Sequence, residues 1–162
     1  MIILVLLSAC AGNPTSGRPG SGRWERNDHP VHPYQLTENP SRNLVMRTAS
    51  RQLGQPYRWG GETPGGGFDC SGLVFFAHQQ AGLTVPRISK SQLHAAKKVP
   101  IHKIQPGDLV FFRLDAKMSH VGIYLGQNRF IHAPSSGKKV SLGSLNNRYW
   151  RKHLIAAGNF YR

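Results

Sequence analysis

The chain has 162 residues, which accommodates one domain and a tail but not two ordinary domains. Lys and Arg total 21 against 7 Asp and Glu, a net charge of +14, and so few carboxylates argue against a two-carboxylate glycosidase, an EF-hand or an acidic magnesium site. The two cysteines, Cys10 and Cys70, are too few and too far apart for a disulfide scaffold or a four-Cys zinc site.

Residues 1–7 are almost wholly apolar and run into Leu7-Ser8-Ala9-Cys10. An apolar stretch, small residues and then Cys resembles the lipobox of bacterial lipoprotein signals, in which cleavage precedes the Cys and its thiol takes a lipid. Residues 1–9 are therefore expected to be a lipoprotein signal, and Cys10 the lipidation site. The stretch is far too short to cross a bilayer as a helix. No Lys or Arg precedes it, so the signal is expected to be shortened at its start. Ala11 rather than Asp after Cys10 implies, by the same resemblance, a lipid anchor in the outer membrane at its periplasmic face. Residues 11–40 carry Asn13-Pro14, Pro19-Gly20-Ser21-Gly22, His29-Pro30, His32-Pro33 and Asn39-Pro40 with no apolar periodicity, which predicts a flexible linker over 10–40. Such a tether reaches at most ~100 Å extended and about 30 Å as a coil. Its charges cancel, so the whole +14 falls in residues 41–162, the predicted folded domain.

Within that domain, Asn39 then Pro40 predicts a helix start, with Leu44, Val45, Ala49 and Leu53 at helical spacing and Gly54 as the stop. A Gly-rich stretch then leads to Asp69-Cys70-Ser71-Gly72. From Cys70 onward Leu73, Val74, Ala77 and Ala81 form an apolar stripe, which puts Cys70 at a helix N-terminus. Ser89-Lys90-Ser91-Gln92 has a capping-box pattern and predicts a third helix. Beyond it the pattern turns strand-like over 108–113, 119–125, 129–133, 138–142 and 153–160. Helices first and strands after predict an α+β domain with an antiparallel sheet.

Cys70 is the candidate nucleophile, because unpaired N–H groups at a helix start and a nearby imidazolium both favour a thiolate. These influences predict that the thiolate is the major species. The Gly run before Cys70 and Gly72 after it would let backbone approach a substrate closely. A nucleophile needs a base and an orienting group. His120 and His132 lie in strand-like segments joined at Gly126-Gln127-Asn128, and a turn centred on Gly126 or Gln127 puts both rings on one side of the sheet. A one-residue slip would separate them. The set suits His120 as base and His132 as its orienter; zinc ligation by Cys70, His120 and His132 is the weaker chemical alternative.

Tyr57-Arg58-Trp59-Gly60-Gly61 and Gly67-Phe68-Asp69-Cys70-Ser71-Gly72-Leu73-Val74 resemble the nucleophile segment of the NlpC/P60 cell-wall peptidases. Pro86-Arg87-Ile88-Ser89-Lys90-Ser91-Gln92, Pro106 to Phe112, His120 to Gly126 and Phe130-Ile131-His132-Ala133 resemble that family's later motifs in order. With the lipobox and linker, the chain is similar to the Spr (MepS)-like lipoprotein members. The resemblance implies a papain-like α+β core with Cys70, His120 and His132 as a catalytic triad. It further implies a Tyr57 hydroxyl near thiol and oxyanion, Asp69 and Ser71 at the substrate's amine end, and Arg87 on a stem-peptide carboxylate. The implied activity is cysteine endopeptidase cleavage of peptidoglycan stem peptides, at the D-Ala–diaminopimelate crosslink or the γ-D-glutamyl–diaminopimelate bond, with no cofactor or metal. A catalytically silent wall-binding module and an acyl transferase on the same Cys-His core are the rival readings.

The basic charge is scattered, with no run longer than two residues, such as Lys97-Lys98 or Arg151-Lys152. This pattern and a secretion signal point to anionic wall polymers and not to nucleic acid. A monomer is expected.

Overall fold

The computed structural model describes residues 33–115 and 119–162. The predicted signal, Cys10, most of the predicted linker and its His29 and His32 lie outside the described residues. Helix α1 (Pro40–Ser50) starts where Asn39 accepts hydrogen bonds from the N–H groups of Ser41 and Arg42. Val45, Met46 and Ala49 form its buried face, and Leu53 lies beyond its end, exposed in the turn closed by Gly54. Residues 34–39, which the sequence assigns to the linker, are docked on the domain. Tyr34 is buried in the core, and the Gln35 N–H donates to the Leu125 carbonyl at 2.7 Å. An aromatic ring removed from water holds residues 34–39 against the domain, although their Pro and Asn content reads as linker.

A short hairpin, β1 (Glu62–Thr63) and β2 (Gly67–Phe68), precedes α2 (Cys70–Gln80). Helix α3 (Ser89–Ala95) has Ile88 at its N-cap, so Ser89 is its first helical residue and not its cap. The fully buried Gln92 amide donates to the carbonyls of Ser71 (3.1 Å) and Pro86 (2.8 Å), tying α3 to the start of α2.

The remaining strands are β3 (Lys97–Val99), β4 (Leu109–Arg113), β5 (Ser119–Gly126), β6 (Arg129–His132), β7 (Ser141–Ser144) and β8 (Leu154–Asn159). They form one six-stranded antiparallel sheet in the order β3-β8-β4-β5-β6-β7. The strand expected at 138–142 begins later, at Ser141. The one expected from His153 is preceded by a short helix, α4 (Arg148–His153), that apolar periodicity does not mark.

The sheet is covered on both sides. Leu109, Phe111, Val121, Ile123, Leu125 and Ile131 pack with α1 and α2 residues in the larger core. The alternate residues Val110, Phe112, Tyr124 and Phe130 form a second cluster with Leu145, against which Trp150 of α4 packs. Strand alternation thus supplies two hydrophobic layers from the same strands.

Candidate active site

Cys70 is the first residue of α2, whose N-cap is Asp69. Asp69 Oδ1 accepts from the Gly72 N–H at 2.6 Å and the Ser71 hydroxyl at 3.0 Å, and Oδ2 accepts from the Gly60 N–H at 3.0 Å. Arg87 donates to both oxygens, Nη1 at 3.1 Å and Nη2 at 3.0 Å. Its remaining donors reach Ser71 Oγ, the Gly61 carbonyl and, through Nε at 2.5 Å, Glu62 Oε2. All five guanidinium N–H groups are therefore engaged inside the protein. Burial opposes the Arg87 charge, yet its bonds and attraction to Asp69 and Glu62 outweigh that and raise its pKa. Arg87 holds Asp69, the N-cap of the helix that carries Cys70, and is absent from the cavity wall, which Lys90 lines.

Gly72 also differs from expectation. A Cβ there would run into the Gly61 carbonyl, with Arg87 Nη2 only 3.0 Å away. The missing side chain lets α2 pack on the Trp59-Gly60-Gly61 turn, so this glycine serves packing between two protein segments.

On the facing side, β5 and β6 pair with Ile123 opposite Ile131 and Tyr124 opposite Phe130, a register centred on Gln127. Gln127 and Asn128 have φ of 52° and 58°, the left-handed pair that a two-residue type I′ hairpin turn requires. This register places His132 diagonally from His120, and His120 Nε2 lies 2.8 Å from His132 Nδ1. Gly122, two residues along β5, leaves room for the pair: a Cβ there would meet the Phe130 ring, the Ile131 carbonyl and the His132 side chain. Trp150, which the sequence reading passes over, covers both rings. Its centroid is 5.7 Å from His120, nearly parallel at 30°, and 4.8 Å from His132 at 90°.

Tyr57, Asp69, Cys70, Ser71 and His120 line one cavity of about 250 Å³. Trp59, 81% exposed, and Ile88 stand at the same cavity. His132 is buried behind His120, 3% exposed. The N–H of Val121, the residue after His120, faces the Cys70 sulfur, as do the N–H groups of Ser71 and Cys70 itself. Among the described residues no group of three His, Cys, Asp or Glu is placed to hold a metal ion.

Burial of the three groups acts against the thiolate expected at a helix start. Burial pushes the Cys70 thiol up to about 11, against the partial opposition of the three N–H groups, with Asp69 adding to the rise. Burial alone brings His120 down to about 4, and burial with the neighbouring His120 brings His132 to about 3. Desolvation thus opposes the helix terminus and favours the neutral thiol and the neutral imidazoles. Burial, with Cys70 and Asp69 adding, also raises the Tyr57 pKa, so its phenol stays a donor.

The sequence pattern of the NlpC/P60 family matches residues 54–159. The chain belongs to the NlpC/P60 family. It is 39% identical over 119 residues to the murein DD-endopeptidase MepH of Escherichia coli, covering 70% of this chain and 44% of that protein. It is 44% identical over 117 residues to the bifunctional muramidase/DL-endopeptidase CwlT of Bacillus subtilis, covering 70% of this chain and 35% of that protein. The chain thus spans less than half the length of these two relatives. Among solved structures, an NLP/P60-family protein from Staphylococcus aureus, described as similar to a lipoprotein, superposes with a TM-score of 0.70 at 34% identity over 80% of this chain and 44% of its own. The NlpC/P60 domain of the peptidoglycan hydrolase SagA superposes with a TM-score of 0.63 at 31% identity, over 73% of this chain and 97% of that one. The α+β fold expected for the NlpC/P60 family is therefore the fold observed.

Proposed function

We propose that this domain is a peptidoglycan endopeptidase that hydrolyses amide bonds of stem peptides, with Cys70 as nucleophile, His120 as base and His132 as its orienting partner. The observation that carries the reading is the 2.8 Å contact between His120 Nε2 and His132 Nδ1, behind a cavity that His120 shares with Cys70. If Nε2–H of His120 donates to His132, Nδ1 of His120 is the nitrogen left to take a proton.

From the neutral resting pair, His120 takes the thiol proton as the sulfur attacks the amide carbonyl carbon. The carbonyl oxygen becomes an oxyanion, toward which the Tyr57 phenol donates. Collapse breaks the C–N bond, and the leaving amine takes the proton from His120. A water then attacks the thioester, giving its proton to His120; the acyl group leaves as a carboxylic acid and the thiol is restored. General-base transfer during attack replaces a preformed thiolate–imidazolium pair. Asp69 and Ser71 at the cavity wall are assigned to the substrate's amine end, and Arg87 to keeping Asp69 in place.

Relatives named as a DD-endopeptidase and a DL-endopeptidase support both candidate bonds, D-Ala–diaminopimelate and γ-D-glutamyl–diaminopimelate. We further propose that the domain works as a monomer on the periplasmic side of the outer membrane, held by a lipid on Cys10. The lipobox and the charge-balanced tether support this placement. Digestion of purified peptidoglycan with mass-spectrometric identification of the fragments tests the activity and names the bond. Cys70→Ala is expected to abolish fragment release, and unchanged release would refute the assignment. Metabolic labelling with a radioactive fatty acid tests the anchor: label that persists in Cys10→Ala would refute it.

A further inference from the structure

The proposed reaction makes His120 pass through a charged state, and that ring lies 5% exposed among aromatic groups. Its partner His132 is equally shut in, so neither imidazole has bulk water to solvate a positive charge. Rings that face the pair are Phe112, 6.2 Å from His120, Phe130, 4.9 Å from His132, and Trp150, which touches both. Trp150 is the one of the three that stacks on His120, with 5.7 Å between centroids and 30° between planes. That separation is within the ~6 Å at which a cation gains from an indole face, the most favourable of the protein π-faces. A neutral imidazole gains little from the same face. The stacking therefore acts on the protonated ring that forms as sulfur attacks, and only weakly on the ground state.

Trp150 is itself fixed. Phe112 at 5.0 Å and Phe130 at 5.3 Å meet its ring, and Tyr149 packs on it at 5.2 Å. Helix α4 starts at Asn147, whose side chain accepts from the Tyr149 N–H at 2.8 Å. One short capped helix thus delivers an indole onto both imidazoles from outside the cavity, without lining it.

We propose that Trp150 is a positioning residue of this site, which holds the His120–His132 pair in line and stabilises the imidazolium form of His120 through its π-face. The inference rests on the endopeptidase reading above. It places a determinant of turnover in α4, on the face of the sheet opposite the helices.

The experiment uses the full chain with a purified stem-peptide substrate and, separately, the rate of Cys70 alkylation by iodoacetamide. Trp150→Leu keeps apolar cover and removes the π-face; Trp150→Phe restores a weaker one. Leu is expected to lower kcat about 5- to 30-fold with KM within about twofold, and Phe to recover most of the loss. Alkylation near neutral pH, which needs the same proton acceptor but no peptidoglycan, is expected to fall in the same order. To separate the role from folding, 5-fluoro- and 5,7-difluorotryptophan are placed at position 150 by nonsense suppression. They preserve shape while weakening the π-face, and log kcat is expected to fall stepwise with each fluorine. Equal kcat in the Leu and Phe variants, or rates flat across the fluorinated series, would overturn the proposal. Loss of peptide cleavage in the wild type with alkylation still ordered Trp, Phe, Leu would refute the endopeptidase reading and leave the Trp150 inference standing.

Discussion

His78 provides a test of how strongly this core excludes charge. It lies on α2, fully buried, with Nδ1 2.8 Å from the Val74 carbonyl and Nε2 without a hydrogen-bond partner. Phe160 and Tyr161 pack against its ring at 6.1 and 6.0 Å. Burial lowers its pKa from 6.5 to about 4, with the Val74 carbonyl resisting. The unfolded chain therefore binds a proton in the window between pH 6.5 and 4 that the folded chain refuses. Stability from this group is complete above pH 6.5 and is lost as pH falls towards 4. A shift of this size corresponds to about 3 kcal/mol at 1.36 kcal/mol per unit. His78→Leu, of similar volume, removes the proton uptake. Urea denaturation of both proteins at pH 7, 6, 5 and 4.5 and constant ionic strength reads the effect. The stability difference between wild type and variant is expected to move by about 2–2.5 kcal/mol in the variant's favour as pH falls from 7 to 4.5. A difference constant with pH would refute the reasoning, because a lost packing or hydrogen-bond contribution does not titrate in this window. His120 and His132 are depressed in the same direction, so the wild type is expected to unfold in mild acid, where domains of ordinary stability have only ~5–15 kcal/mol to lose.

Cys70, with its thiol raised to about 11, is expected to react with iodoacetamide at pH 7 at least about 10-fold more slowly than a free thiol, and to be still accelerating at pH 9; a plateau below pH 7 would show a preformed thiolate instead. Arg87→Met leaves Asp69 and Glu62 without their shared cation. It is expected to cost about 2–3 kcal/mol in denaturant titrations, less than a fully buried pair because Arg87 is 27% exposed. Arg87→Lys, lacking the planar fork, is expected to recover stability only in part, and full recovery would show that charge alone suffices. Gly72→Ala forces a methyl group against the Gly61 carbonyl and is expected to destabilise by about 1–3 kcal/mol and to reduce Cys70-dependent activity; a neutral effect on both would remove the packing role given to this glycine.

The parts of the site that were legible in the sequence are those set by local rules. Asp69 before an apolar stripe marks a helix start, and the observed cap puts Cys70 there. Gly126-Gln127-Asn128 marks a tight turn, and its position restricts His120 and His132 to registers that share a face. The approach of the two rings to hydrogen-bond distance follows from that restriction. What sequence reasoning missed depends on atoms distant in the chain. Arg87 looked available to a substrate, but Glu62, Asp69, Ser71 and Gly61 converge on it only after the β1–β2 hairpin folds. The resting charge of Cys70 turns on desolvation, which no neighbouring residue reveals. Helix α4 spans six residues, too short to display a periodic stripe, and its signals were the Asn147 cap and the Tyr149-Trp150 pair. Tyr34 lies in a Pro-rich stretch whose composition says linker, and its buried ring, the Gln35 N–H and the Thr37–Asn43 hydrogen bonds dock that stretch.

Strand alternation in β4, β5 and β6 has a consequence for when this protein can act. The proposed sulfur rides on a helix consolidated by one apolar compartment, whereas the rings that would serve it are locked by the other. A chain that has closed only half of its interior carries every reactive group yet cannot bring them to bear. On the proposed mechanism, peptide cleavage then requires both compartments to be closed.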